Sequence, residues 1–149
     1  MIRFGRILCP VDFSEGSRSA LRYAAWIAAR SKGRLIVLSV SDPLLVAAAV
    51  NAYNTADIAR ATHAELRKFV GKSIADRSLA RRLRYAVAVG KPALEIIKTA
   101  RRVRADLIVM GTRGLSGVSR LLIGSTAEQV LRKSAIPVLA VRGRRSHLA

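Results

Sequence analysis

Acidic side chains are scarce: nine Asp and Glu face 27 Lys and Arg, leaving a formal net charge of +18 on 149 residues. Such a field attracts nucleotides, nucleic acid and anionic membrane surfaces without selecting among them. Cysteine is limited to Cys9, so no intrachain disulfide can form, which fits a reducing cytoplasm. Its apolar setting, Ile7-Leu8-Cys9-Pro10-Val11, favours a buried strand over a reactive thiol. Aromatic residues are few and are not interleaved with the basic clusters, which argues against base-stacking platforms. Long hydrophobic runs are missing too. The longest, Pro43 to Ala52, falls well short of the ~20 residues that cross a bilayer. Arg3 and Arg6 precede no apolar stretch of signal-peptide length. The expectation is a cytoplasmic protein with no membrane partner. His63 and His147 stand alone, outside metal-ligand spacing, so no protein-held metal is expected. Neither G-x-G-x-x-G after the first apolar run nor G-x-x-x-x-G-K-[ST] anywhere occurs, and kinase signatures are absent.

Half of the residues are hydrophobic, enough for a core and against disorder. One domain spanning residues 1–149 is expected. Five short apolar runs alternate with helical patterns. Ile7 to Val11 leads into Leu21, Ala24, Ala25 and Ala28 at helical spacing, with Gly33 as a helix stop. Leu35 to Val40 is the second strand, and Leu44 to Asn54 reads as either loop or short helix. Ile58, Ala61, Thr62, Leu66, Phe69 and Val70 mark a long helix with Gly71 near its end. In the third strand Leu83, Tyr85, Val87 and Val89 alternate with Arg84, Ala86 and Ala88, predicting one half-exposed face. Pro92 then opens a helix whose inward stripe is Ala93, Ile96, Ile97 and Ala100. Leu107 to Met110 and Val138 to Val141 complete the strands. The alternation predicts an α/β fold, with a parallel sheet carrying helices on both faces.

The richest stretch runs from Met110 to Thr126, M-G-T-R-G-L-S-G-V-S-R-L-L-I-G-S-T. Gly111 and Gly114 follow the fourth strand. Gly124, Ser125 and Thr126 open a helical pattern containing Ala127, Val130 and Leu131. Strand, glycine loop and helix start together offer backbone N–H groups and a positive dipole end to an anion. Glycine admits the backbone to close range, or to positive φ, where a phosphate cradle needs either. The hydroxyls of Ser125 and Thr126 suit phosphate binding or helix capping equally well.

Ligands of open parallel sheets sit beyond the strands' carboxyl ends, where strand order reverses. If the first and fourth strands are neighbours there, Pro10-Val11-Asp12 and Met110-Gly111-Thr112-Arg113-Gly114 border one crevice. Asp12 would accept hydrogen bonds from ribose or adenine, with Val11 and Val40 against the base. Its ordinary alternative is capping or turn stabilisation beside Ser14. No general base stands beside Ser125 or Thr126, so no catalytic residue is assigned.

The pattern G-x2-G-x9-G-[ST] resembles the nucleotide-binding signature of the universal stress protein family. The opening Ile7 to Ser14, the segment Gly90-Lys91-Pro92 and the closing Ser134 to Val141 are similar to that family as well. The resemblance implies a Rossmann-like nucleotide-binding fold, with a five-stranded parallel sheet in the order 3-2-1-4-5. It also implies a homodimer formed through the last strand, 138–141. Carried onto this chain, adenosine contacts fall on Pro10, Val11, Asp12, Val40 and Met110. Phosphate and ribose contacts fall on Gly111, Arg113, Gly114, Gly124, Ser125 and Thr126. The intact glycines match the family's ATP-binding branch, with Mg2+ held through the phosphates. The reading is a nucleotide-dependent stress-response switch with at most slow hydrolysis or autophosphorylation. The alternative is a basic nucleic-acid-binding accessory protein on the same fold. The charge alone supports no more than weak, nonspecific nucleic-acid attraction.

Overall fold

In the computed structural model, which describes residues 1–113 and 123–143, strands and helices alternate along the chain. The strands are β1 (Arg6–Val11), β2 (Arg34–Ser41), β3 (Leu83–Val89), β4 (Leu107–Gly111) and β5 (Val138–Val141). The helices are α1 (Glu15–Ser31), α2 (Pro43–Val50), α3 (Thr55–Ser73), α4 (Pro92–Arg102) and α5 (Ser125–Lys133). A 3-10 segment, Arg77–Arg82, precedes β3. All strand pairings are parallel, in the order β3-β2-β1-β4-β5.

Strand alternation sorts the apolar residues into two layers. Ile7, Cys9, Val37 and Val109 face α1 and the C-terminal half of α3, where Leu21, Ala24, Leu66 and Phe69 meet them. Leu8, Ile36, Leu38 and Ile108 face α4 and α5, against Ile96, Ala100 and Val130. Each fully buried Leu or Ile contributes roughly 1.5–3 kcal/mol, so the central strands, apolar on both faces, anchor the sheet. β3 is less buried than β1, β2 and β4 throughout. The cause is its place at the sheet edge more than a strict alternation of faces.

Several local features refine the sequence reading. The left-handed residue that ends α1 is Lys32 (φ 53°), not Gly33. Gly33 is needed for space, since a Cβ there would stand 2.3 Å from the Phe4 carbonyl oxygen. The Arg82 guanidinium donates to the carbonyls of Ala28 (3.1 Å) and Gly33 (3.0 Å), satisfying the end of α1 from a distant segment. In α4 the buried stripe takes Thr99 while Ile97 is only half-buried, and in α5 Leu131 is exposed. Helix α3 continues past Gly71 to Ser73, and α2 is helical with no buried residue.

Candidate functional site

The crevice between β1 and β4 arises from their register. β1 pairs with β2 as far as Val11–Ser39, but its pairing with β4 stops at Leu8–Ile108. Pro10 has no N–H to give to a ladder. Beyond that point the carboxyl ends of β1 and β4 part, and the gap is the opening that the sheet order places at its switch point.

A cleft of about 200 Å³ occupies this gap. Its walls include Pro10, Val11 and Asp12 from the end of β1, Val40 from β2, and Met110, Gly111 and Arg113 from β4 and its following turn. Gly124, Ser125 and Thr126 close it at the start of α5. Ten sequence-selected residues thus meet at one place; Gly114 lies outside the described residues. Leu38, Pro92, Ile96 and Ala127 add apolar wall, and Ser17 and Thr112 add polar wall. Sequence reasoning placed Thr112 in the segment bordering the crevice without giving it a contact, and passed over the other five. Ile96 and Ala127 were legible as inward helix positions, but nothing in their spacing marked them as cleft-lining.

Three helices begin at this opening: α4 starts at Pro92, with no side-chain cap and no N–H at its first position, and α1 and α5 differ from each other. At α1 the Ser14 side chain caps the helix, its Oγ accepting from the Ser17 N–H at 3.1 Å. Asp12 secures that cap: its Oδ1 accepts from the Ser14 N–H (3.1 Å) and from the Ser14 hydroxyl. The Asp12 N–H in turn donates to the Ser17 Oγ at 3.3 Å. Turn stabilisation by Asp12 is therefore realised. At α5 the N-cap is Gly124, which has no side chain to bond the first-turn N–H groups. Helix starts carry about half a positive charge. Of these two, α5 is the one whose N-cap residue offers no side chain to compete with an anion.

The glycines act through close approach. Gly124 has φ −60°, open to any residue, yet a Cβ on it would stand 3.1 Å from the Thr112 carbonyl oxygen. The Gly124 N–H donates to that same oxygen at 2.6 Å, fastening the start of α5 to the turn after β4. Of the two uses of glycine, close approach and positive φ, Gly124 serves the first. A Cβ at Gly111 would lie 2.9 Å from the carbonyl carbon and oxygen of Gly16. One at Gly16 would lie 2.6 Å from the Arg113 carbonyl oxygen. The end of β4 and its turn thus cross directly over the first turn of α1, and Gly16 is a required partner the sequence did not single out. Phe13 occupies the left-handed region (φ 65°), held by edge-on packing of its ring against Phe69, centroids 5.4 Å apart.

Among the described residues no three His, Cys, Asp or Glu side chains gather as a metal site. Burial pushes the Cys9 thiol far above its ordinary range, so it takes no part in chemistry here.

The model of the universal stress protein family matches residues 3–142. A universal stress protein of Methanocaldococcus jannaschii is 31% identical over 142 residues, covering 93% of this chain and 82% of that protein. The solved structure of a universal stress protein from Lactobacillus plantarum superposes with a TM-score of 0.73 at 28% identity, covering 95% of this chain and all of the other. A universal stress protein solved in complex with cAMP gives 0.68 at 27% identity, covering 96% and 100%. A match running from Arg3 to Arg142 takes in every strand and helix described above, and the chain belongs to the universal stress protein family.

Proposed function

We propose that this chain binds ATP in the β1/β4 cleft and acts as a nucleotide-dependent switch. The single observation that carries this is the uncapped start of α5, held at Gly124 across the cleft from the Asp12 turn. Its N–H groups suit the phosphates, with Ser125 and Thr126 hydroxyls beside them. Val11, Leu38, Val40 and Met110 supply apolar wall for the base, and Asp12 stands at the ribose end. The fit of phosphate to this place rests on the close-approach glycine, where a Cβ would press on the Thr112 carbonyl and push the start of α5 off the turn after β4. A cleft of about 200 Å³ is small beside the ~300–1,000 Å³ of common ligand sites, so it grips part of the nucleotide and leaves the rest toward solvent. The cAMP complex of a relative supports an adenine nucleotide as the ligand class.

Mg2+, when bound, would neutralise phosphate charge, and its hold on the protein would pass through the phosphates. The described residues of the cleft bind and orient, and among them no nucleophile and base are paired; turnover in this reading is at most slow. A homodimer through β5, the free edge of the sheet, belongs to the same proposal, as does a cytoplasmic location. Mass spectrometry of the nucleotide released from the purified native protein tests the ligand. Recovery of ATP or ADP supports the reading; a protein free of nucleotide that shows no calorimetric ATP binding overturns it.

A further inference from the structure

A large share of the basic charge stands at the end of the sheet opposite the cleft, with Asp106 as its neighbouring carboxylate. Arg6, Arg34 and Arg84 stand at or beside the first positions of β1, β2 and β3, all exposed. Arg101, Arg102 and Arg104 follow at the end of α4, also exposed. Lys32, Arg81, Arg132 and Lys133 occupy the same end, beside the last turns of α1 and α5 and before β3. Helix dipoles favour one or two cations at each C-terminus, but they give no reason for arginine at strand starts. Arg6 and Arg34 are even paired in register on neighbouring strands, where like charges repel. Among the described residues four ion pairs form, and only Arg132–Glu128 reaches this end.

A groove of about 620 Å³ opens beside this face, between α1 and the segment from Ser73 to Ser78. Arg22, Trp26 and Arg30 form its α1 wall. Trp26 is 58% exposed, and the Arg30 guanidinium lies 4.3 Å over its ring. Tyr23, one turn earlier, is 53% exposed. Asp76 also lines the groove, its carboxylate accepting from the Ser78 N–H at 2.8 Å. Arg22, Trp26 and Arg30 follow one another at four-residue spacing along α1, a stripe the sequence reading did not single out.

We propose that this face binds single-stranded nucleic acid, with a base stacked on Trp26 and the phosphates tracking from Arg22 and Arg30 toward Arg34 and Arg6. A duplex hides its base faces, whereas a single strand offers them to an aromatic side chain, and arginines hold the backbone. An anionic membrane fits less well. The exposed apolar helix α2 follows the carboxyl end of β2, so apolar wedge and basic face lie at opposite ends of the sheet. The proposal is independent of the nucleotide cleft, which lies at the other end.

Trp26 is the chain's only tryptophan, so its fluorescence reports the groove directly. Titration with a thymidine 20-mer should quench it saturably, while inorganic polyphosphate binds by charge without quenching. By anisotropy of the labelled 20-mer, Trp26→Ala should weaken binding at least fivefold, within the range of one stacked base. Trp26→Phe should restore most of that loss, and neither variant should alter polyphosphate binding. Arg6→Gln with Arg34→Gln should lower the slope of log affinity on log salt by about 1.4, the value for two single-strand phosphate contacts. Saturating ATP should leave the 20-mer bound, and Gly124→Val should bind it as the wild type does. Equal affinity of Trp26→Ala, absence of quenching, displacement by ATP, or equally tight binding to phosphatidylglycerol vesicles with the same Trp26 change would each overturn the proposal.

Discussion

Arg6 and Arg34 stand directly opposite each other, the first register pair of β1 and β2. Arg6 is anchored through its backbone, the N–H donating to Asp106 Oδ2 at 2.8 Å. Its guanidinium reaches the Arg104 carbonyl at 3.5 Å. Both arginine side chains remain exposed, so solvent and salt moderate their repulsion without removing it. Like charges opposite one another on adjacent strands cost a few tenths to about 1 kcal/mol. Arg34→Glu should therefore stabilise the protein by about 0.5 kcal/mol in low salt, read as a higher urea midpoint at unchanged m-value. The gain should shrink in 0.5 M salt, about three times physiological ionic strength. A midpoint that does not move in low salt would show that the pair carries no repulsion.

Cys9 offers a second test, of the core between β1 and its covering helix. The thiol is fully buried and its pKa is raised by that burial. In the native protein a thiol-specific disulfide reagent should find nothing to modify at pH 8; in urea one equivalent should react. The linkage has a definite sign. The folded state holds the thiol protonated, so its contribution is complete below the ordinary thiol range, near pH 8.5, and is lost as pH rises above it. Unfolding free energy should therefore decline above about pH 9, and Cys9→Ala should flatten that part of the profile. Rapid labelling of the native protein would contradict the buried placement.

Assembly gives the third. β5 ends the strand order, and Leu139 keeps 37% of its surface exposed on it. An apolar edge strand pairs readily with a second copy. Light scattering should give a dimer at micromolar concentration. Leu139→Lys should weaken it by placing like charges face to face, and Ala140→Pro should weaken it by removing an N–H from the strand. A monomeric wild type at these concentrations would remove the dimer from the proposal.

The five strands, the helices between them and the two-sided core were legible because each rests on a short-range signal, whereas the strand order and the full set of ten cleft residues came from the family resemblance. Nearly continuous apolar runs at 35–40 and 107–110 marked buried parallel strands, and the glycines after β4 marked the turn. Part of what escaped the sequence depends on residues far apart in the chain. Gly16 matters because the turn after β4 passes over it, and Arg82 matters because it closes the end of α1 from 54 residues away. Trp26 and Arg30 are one helical turn apart, yet only the exposed groove beside them gives that pair meaning. Helix α2 stayed ambiguous because its apolar composition carries no amphipathic pattern, and in the fold it buries nothing.

The glycine cradle supplies the last prediction. Gly124 has an ordinary backbone conformation, so alanine there would bring its Cβ to 3.1 Å from the Thr112 oxygen and require a shift of a few tenths of an ångström. Valine adds two methyl groups at the same place and pushes the start of α5 off the turn that positions it. Gly124→Val should then lower ATP affinity at least tenfold, about 1.4 kcal/mol, and Gly124→Ala should lower it less. The N–H groups lie at a helix start rather than in the core, so circular dichroism should show the fold intact. Gly111→Ala is different in kind. Its Cβ would meet backbone atoms of Gly16 at 2.9 Å, in a crossing that no side-chain rotation relieves. It should destabilise the protein by about 1–3 kcal/mol, the range for overpacking, whether or not nucleotide is present. Asp12→Ala should sit between them, loosening the Ser14 cap and weakening ATP while the cradle at α5 remains. Calorimetry of the folded variants separates these cases. Wild-type ATP affinity in folded Gly124→Val would refute the assignment of phosphate to the start of α5, because no other change in the cleft strikes that point alone.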